Sequence, residues 1–192
     1  MRRDVLLRPL ARNWSGLMFR ALLAIAFGVA TFAWPTITLE HLVYLFGLYA
    51  LFDGIATLAI AMDVLTLRSF WIVLTEALVR LVGGLAAMGA PEVIYGFPRF
   101  LAIWALMAGG ADALVAVKLR REMSGEWPLP LAAAISASVA VWLLVRPPDA
   151  HVAAAALRWP LGLYAILAGV SLLAFARRLR QLADEMAETT AS

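Results

Sequence analysis

Six long apolar stretches constrain this chain more than any other feature. They run Trp14–Trp34, Thr38–Met62, Phe70–Met88, Phe100–Val117, Trp127–Val145 and Trp159–Ala176. A helix rises about 1.5 Å per residue, so roughly 20 apolar residues reach across the ~30 Å hydrocarbon core of a bilayer. A buried soluble bundle is the competing reading of any one stretch. Six of them in 192 residues, with 64% hydrophobic and only 15% charged side chains, leave no polar faces to solvate such a bundle. A soluble domain carries about 25% charged and 45–50% apolar residues. The mean hydropathy of +0.86 points the same way. The expected fold class is an all-α polytopic membrane protein with six transmembrane helices, and its first partner is the lipid bilayer. The arginines ahead of the first stretch lead into no small-residue cleavage site, so that span is expected to stay.

Orientation follows from where arginine and lysine sit. The N-terminal tail holds Arg2, Arg3, Arg8 and Arg12, and the second-to-third connection holds Arg68. Lys118, Arg120 and Arg121 follow the fourth span, and Arg177, Arg178 and Arg180 follow the sixth. Against these eleven stand Arg99, Arg146 and Arg158 on the other side. Both termini are therefore expected in the cytoplasm. The net charge of +3 is spread through membrane-facing connections, which argues against a nucleic-acid partner.

A repeat organises the spans. Pro35, Pro91 and Pro147 recur at intervals of 56 residues, each at the outer end of an odd span. Trp14, Trp71 and Trp127 open those spans at almost the same interval. Each even span carries a third marker: Tyr49-Ala-Leu-Phe-Asp-Gly54, Trp104-Ala-Leu-Met-Ala-Gly109 and Tyr164-Ala-Ile-Leu-Ala-Gly169. Three markers in one order divide the chain into three tandem helical hairpins of about 56 residues. The tails are residues 1–13 and 181–192, and the hairpins are 14–69, 70–126 and 127–180. Proline donates no backbone N–H and clashes with the preceding turn, so it ends the odd helices. The small pairs Ala50/Gly54, Ala105/Gly109 and Ala165/Gly169 let helix backbones approach, which matters where lipid supplies no hydrophobic drive for association. Ala24/Gly28 and Gly83/Ala87 add the same pattern to odd helices.

Five ionisable residues interrupt the spans: Arg20, Asp53, Glu76, Arg80 and Asp112. Each is unfavourable by at least about 2.5–3.5 kcal/mol at a helix centre, so such groups face protein or water and pair. All five fall in the cytoplasmic half, between about 7 and 13 Å from the helix ends at 1.5 Å per residue. Glu76 and Arg80 are four apart with the acid first, the favourable order. Arg20 and Asp53 lie at similar depth on the two helices of one hairpin, and they are the expected contact. Salt bridges that fix helix pairing are one reading of this set. A proton or ion pathway is the other, since three acids against two arginines leave one carboxylate unmatched.

The rest of the chemistry is sparse. There are no cysteines, which excludes disulfides and thiolate metal sites, and the sequence offers no nucleophile, phosphate-loop or metal-binding motif. No catalytic, cofactor or metal residue is expected. His41 and His151 follow the first and third repeat prolines; solvated loop histidines are the plain reading and acid sensors the sharper one.

The same residues carry a family resemblance. The Trp-led first helix with Arg20 and Gly28, then Trp34-Pro35-Thr-Ile-Thr-Leu39, then Leu45-Phe-Gly-Leu-Tyr-Ala-Leu-Phe-Asp-Gly54, resembles the HdeD family of acid-resistance membrane proteins. Leu119-Arg120-Arg121-Glu122, Gly125-Glu126-Trp127 and the closing Tyr164–Gly169 marker extend the likeness over Trp14 to Arg180. The resemblance implies a six-span bacterial inner-membrane protein, linked in some members to surviving acid stress, without established catalysis. The third hairpin departs from the pattern: Ala140 replaces the glycine of Gly28 and Gly84, and Pro147–Arg158 is longer and alanine-rich. The expected function is non-enzymatic, in envelope stress tolerance. The alternative is a small proton-coupled transporter or channel using the buried charges.

Overall fold

A chain in hydrocarbon must satisfy its backbone N–H and C=O groups internally, and among the described residues every regular element is a helix. The computed structural model describes residues 13–63, 70–90, 96–107, 110, 128–145 and 153–191. In chain order the helices are α1 (Trp14–Ala33), α2 (Leu39–Asp63), α3 (Phe70–Gly89), α4 (Gly96–Met107), α5 (Pro128–Val145) and α6 (Ala153–Ala191). Among the described residues, three segments are long and apolar enough to cross a bilayer: Trp14–Ala33, Leu39–Met62 and Ala154–Gln181, of 20, 24 and 28 residues. Six were expected. α3 and α5, at 20 and 18 residues, follow the expected third and fifth spans. The fourth, expected over Phe100–Val117, is described only as far as Met107 and at residue 110.

The turn between α1 and α2 forms as the sequence requires. α1 stops at Ala33, Pro35 enters the turn, and the Ile37 amide donates to the Trp34 carbonyl at 3.2 Å. Thr38 then starts α2: its hydroxyl accepts from the His41 amide at 3.3 Å and shares a 2.5 Å bond with His41 Nδ1. His41 is thus an exposed partner in a helix cap, with the Trp34 ring 5.4 Å away. Pro91, Pro147 and His151 lie outside the described residues. α6 begins earlier than the expected sixth span, taking in Ala153–Arg158 and enclosing Pro160. It continues past Ala176 to Ala191.

Packing departs from the simplest hairpin picture. The broadest seams join α1 to α6 and α2 to α3, whereas the consecutive helices α1 and α2 share a narrower one. Glycine placement explains the difference. A Cβ on Gly84 would lie 2.8 Å from the Leu51 amide nitrogen and 2.9 Å from the Gly47 carbonyl oxygen. A Cβ on Gly28 would lie 2.7 Å from the Gly162 carbonyl oxygen. Backbones this close gain dispersion contacts that lipid-exposed helices cannot gain from water exclusion. The expected small residues follow suit. Ala50, Ala105 and Ala165 are buried, and side chains at Gly54 and Gly169 would strike the α3 and α1 backbones. Gly109 lies outside the described residues.

The largest apolar cluster is aromatic at its centre. Phe46 of α2 is fully buried, with the rings of Phe97, Trp104 and Phe27 at 5.5, 4.8 and 6.4 Å in edge-on arrangements. Phe27 in turn stacks on Tyr49 at 4.8 Å. A second cluster, at the other end of the bundle, joins Leu17, Ile60, Ala176 and Leu179. There Arg180 lies over the Trp14 ring at 4.8 Å, tying the α6 extension to the start of α1.

Candidate functional site

Three helices each bring charge to one depth. α1 contributes Arg20, α2 contributes Asp53, and α3 contributes Glu76 and Arg80, all in a lattice of otherwise apolar side chains. Asp53 is 3% exposed, Arg80 4%, Glu76 6% and Arg20 9%. At such exposures water cannot solvate the charges, so their partners decide whether the arrangement is tolerable.

The partners form a closed ring. Arg20 Nε donates to Asp53 Oδ1 at 2.7 Å, and Arg20 Nη2 reaches Asp53 Oδ2 at 3.4 Å. Arg80 Nε donates to Asp53 Oδ2 at 2.5 Å. Glu76 Oε1 closes the circuit, accepting from Arg80 Nη1 at 2.7 Å and from Arg20 Nη2 at 3.3 Å. Each carboxylate therefore meets both guanidiniums. Among the described residues, two positive and two negative groups balance, which lowers the desolvation penalty of burying them in hydrocarbon. Arginine suits the role because its planar fork serves two acceptors at once.

The helices place these groups for local reasons. Glu76 and Arg80 are one turn apart on α3 and so share a face. Asp53 sits between Ala50 and Gly54, where a Cβ on Gly54 would lie 2.9 Å from the Leu81 amide nitrogen of α3, and Arg80 is within direct reach. Arg20 comes from α1 across the narrower α1–α2 seam, and its length spans the gap.

The expected Arg20–Asp53 contact and the Glu76–Arg80 pair are both present. The sequence reading did not join them: the Arg20–Glu76 and Arg80–Asp53 bonds make the ring, and the available clue was equal depth with opposite sign. Asp112 lies outside the described residues. Two polar neighbours of the ring went unmarked. Thr57, fully buried, donates its hydroxyl to the Asp53 carbonyl at 2.7 Å. Tyr49 stands one turn before Asp53 on the same face of α2, stacked on Phe27. Both were findable, since Tyr49, Asp53 and Thr57 stand four apart along one face of α2.

Asp53 and Glu76 are both engaged by arginine, and among the described residues no three His, Cys, Asp or Glu side chains gather as a metal site requires. Elsewhere, Trp104 Nε1 is buried against Gly83 without a hydrogen-bond partner. Arg158 donates from Nη1 to the Pro35 carbonyl at 2.8 Å, linking the start of α6 to the first turn.

Comparison with known proteins adds one match. Residues 19–89 match the family model described as a short repeat of unknown function, DUF308, and HdeD proteins contain this repeat. The matched segment takes in Arg20, Asp53, Glu76 and Arg80, so the whole ring lies inside it. No curated protein and no solved structure matches the chain. The repeat and the apolar helices together fit a membrane protein.

Proposed function

We propose that this chain is a non-enzymatic, HdeD-type protein of the bacterial inner membrane, supporting envelope tolerance of acid stress, with the buried ring as a clamp between helices. The observation that carries the clamp is the ring's closure. Among the described residues, four charges from three helices pair with one another, and both oxygens of Asp53 already accept from guanidiniums. A proton carrier needs an acceptor that is free to load and unload, and Asp53 is held on two sides.

The reading extends to architecture. Six spans in three tandem hairpins remain part of this proposal, which rests on the sequence markers; beside them, one kind of glycine contact occurs twice among the described residues. Gly47-Leu-Tyr-Ala-Leu-Phe-Asp-Gly54 of α2 packs on the Gly84 region of α3. Gly162-Leu-Tyr-Ala-Ile-Leu-Ala-Gly169 of α6 packs on the Gly28 region of α1. Gly28 and Gly84 are 56 residues apart, the interval of the repeat prolines. Both termini in the cytoplasm is supported by the eleven-to-three distribution of arginine and lysine.

Flux measurement tests the functional reading. Purified protein in proteoliposomes, with and without an imposed pH gradient, should pass no more protons than empty vesicles. Cells lacking the protein should survive acid less well, and Arg20→Leu/Asp53→Leu, which removes one pair and keeps the site neutral, should restore that survival. Gradient-dependent proton flux abolished by Asp53→Asn would instead establish the transporter reading.

A further inference from the structure

A groove runs between α3 and α4 on the outside of the bundle. It encloses about 350 Å³ and is lined on one wall by Leu78, Val82 and Gly83 and on the other by Ile103, Trp104 and Met107. Gly83 gives the groove its floor: a Cβ there would lie 2.8 Å from the Trp104 ring, so the indole beds directly on the α3 backbone. The rims are open, with Val82 64% and Ile103 55% exposed. In a bilayer such a slot is never empty. Its lining is apolar throughout, which selects a hydrocarbon occupant.

One end of the groove carries a charge. Arg99 is exposed, stands one turn before Ile103 on α4, and makes no ion pair or hydrogen bond with any described residue. From Arg99 to Met107 the helix rises about 12 Å, and the α3 wall from Leu78 to Ala86 rises the same amount. The two walls are therefore matched in length, with Arg99 one turn beyond Ile103 on the α4 wall. An apolar slot with an exposed arginine one helical turn from Ile103 of its lining complements an amphiphile with one long apolar chain and an anionic head. We propose that the α3–α4 groove holds an acyl chain of an anionic phospholipid whose phosphate is bound by Arg99. Guanidinium and phosphate oxygens pair in the bidentate geometry that arginine favours. The inference rests on the membrane reading above, but not on which side of the membrane Arg99 faces.

Native mass spectrometry of the full chain tests it. The protein is held in a mild detergent with equal amounts of phosphatidylglycerol and phosphatidylcholine of identical acyl chains. The wild type should retain phosphatidylglycerol preferentially. Arg99→Gln should cut that preference about fivefold, the factor expected for one basic residue at an anionic headgroup. Val82→Trp, which enlarges an exposed rim residue into the groove, should lower retention of both lipids with an unchanged thermal midpoint. Arg177→Gln, at the opposite end of the bundle, should leave the preference intact. The proposal is overturned if Arg99→Gln leaves the preference unchanged, or if Arg177→Gln removes it. It is also overturned if Val82→Trp halves the mass of an oligomer, which would make the groove a seat for a second copy. A wild type that carries neither lipid would sink the membrane reading together with the groove, whereas lipid carried without headgroup preference sinks the groove alone.

Discussion

Removing Arg20 and Asp53 singly and together probes the ring most sharply. Arg20→Leu takes away the bonds to Asp53 at 2.7 and 3.4 Å and the bond to Glu76 at 3.3 Å. Asp53 and Glu76 then share Arg80 alone, and the buried site carries one uncompensated negative charge. Asp53→Leu leaves Arg20 and Arg80 competing for Glu76, with one uncompensated positive charge. Stranding a buried charge is typically destabilising by about 3–5 kcal/mol. Each single substitution should therefore lose about that much, which for a chain of this length lowers the thermal midpoint by roughly 6–20 °C. The double substitution leaves Glu76 and Arg80, bonded at 2.7 Å and neutral together. It should recover most of either single loss, giving a coupling of several kcal/mol opposite in sign to the sum. Thermal unfolding of the four proteins in one detergent reads the cycle directly. Strictly additive losses would refute the reasoning, because they require that Arg20 and Asp53 do not neutralise each other.

Other outcomes follow from the seams and ends of the bundle. Gly84→Leu should sharply lower the detergent midpoint, since its Cβ meets Leu51 and Gly47 backbone atoms, whereas Val29→Leu on the exposed face of α1 should leave it nearly unchanged. Thr38→Ala should weaken the start of α2 by about 1 kcal/mol, seen as faster amide exchange near His41. Arg180→Gln should remove a cation–π contact with Trp14 worth about 0.5–1 kcal/mol, checked by a double cycle with Trp14→Leu. A cytoplasm-active reporter fused after Ser192 should be active, and a periplasm-active one silent.

The helices were legible because apolar length and proline position are local properties. α1, α2 and α3 begin and end within a few residues of the stretches read from sequence. The start of α6 was not, because Arg158 and Pro160 interrupt the apolar run in sequence, whereas the helix starts at Ala153 and continues through both. The charged residues were legible one by one, since a charge in an apolar run stands out. Their ring was less so. Arg20–Asp53 and Glu76–Arg80 could be proposed from depth and spacing, but joining them requires knowing that α2 packs more broadly on α3 than on α1. That fact is set by Gly47 and Gly84, whose mutual approach is a tertiary property. Thr57 carries little signal because a neutral polar residue in a span carries little penalty, and Tyr49 stands out in sequence only as the opening of a repeat marker.

Charge and glycine divide the task of specifying this bundle. Close glycine seams supply contact energy, but a seam of small residues tolerates sliding by a turn, because Ala and Gly recur along the same face. A buried ring tolerates no such shift. Moving α3 one turn along α2, about 5.4 Å, would part Arg80 from Asp53 and leave both in hydrocarbon. The ring thus fixes the register that the α2–α3 seam alone leaves loose, as a single buried polar residue does in a coiled coil. α1 is fixed from two sides, its register to α2 by Arg20 and its packing by Gly28 against α6. The matched repeat, residues 19–89, contains every ring residue but not α6. The charge pattern therefore belongs to the repeat segment, while the scaffold that keeps α1 in place needs the rest of the chain.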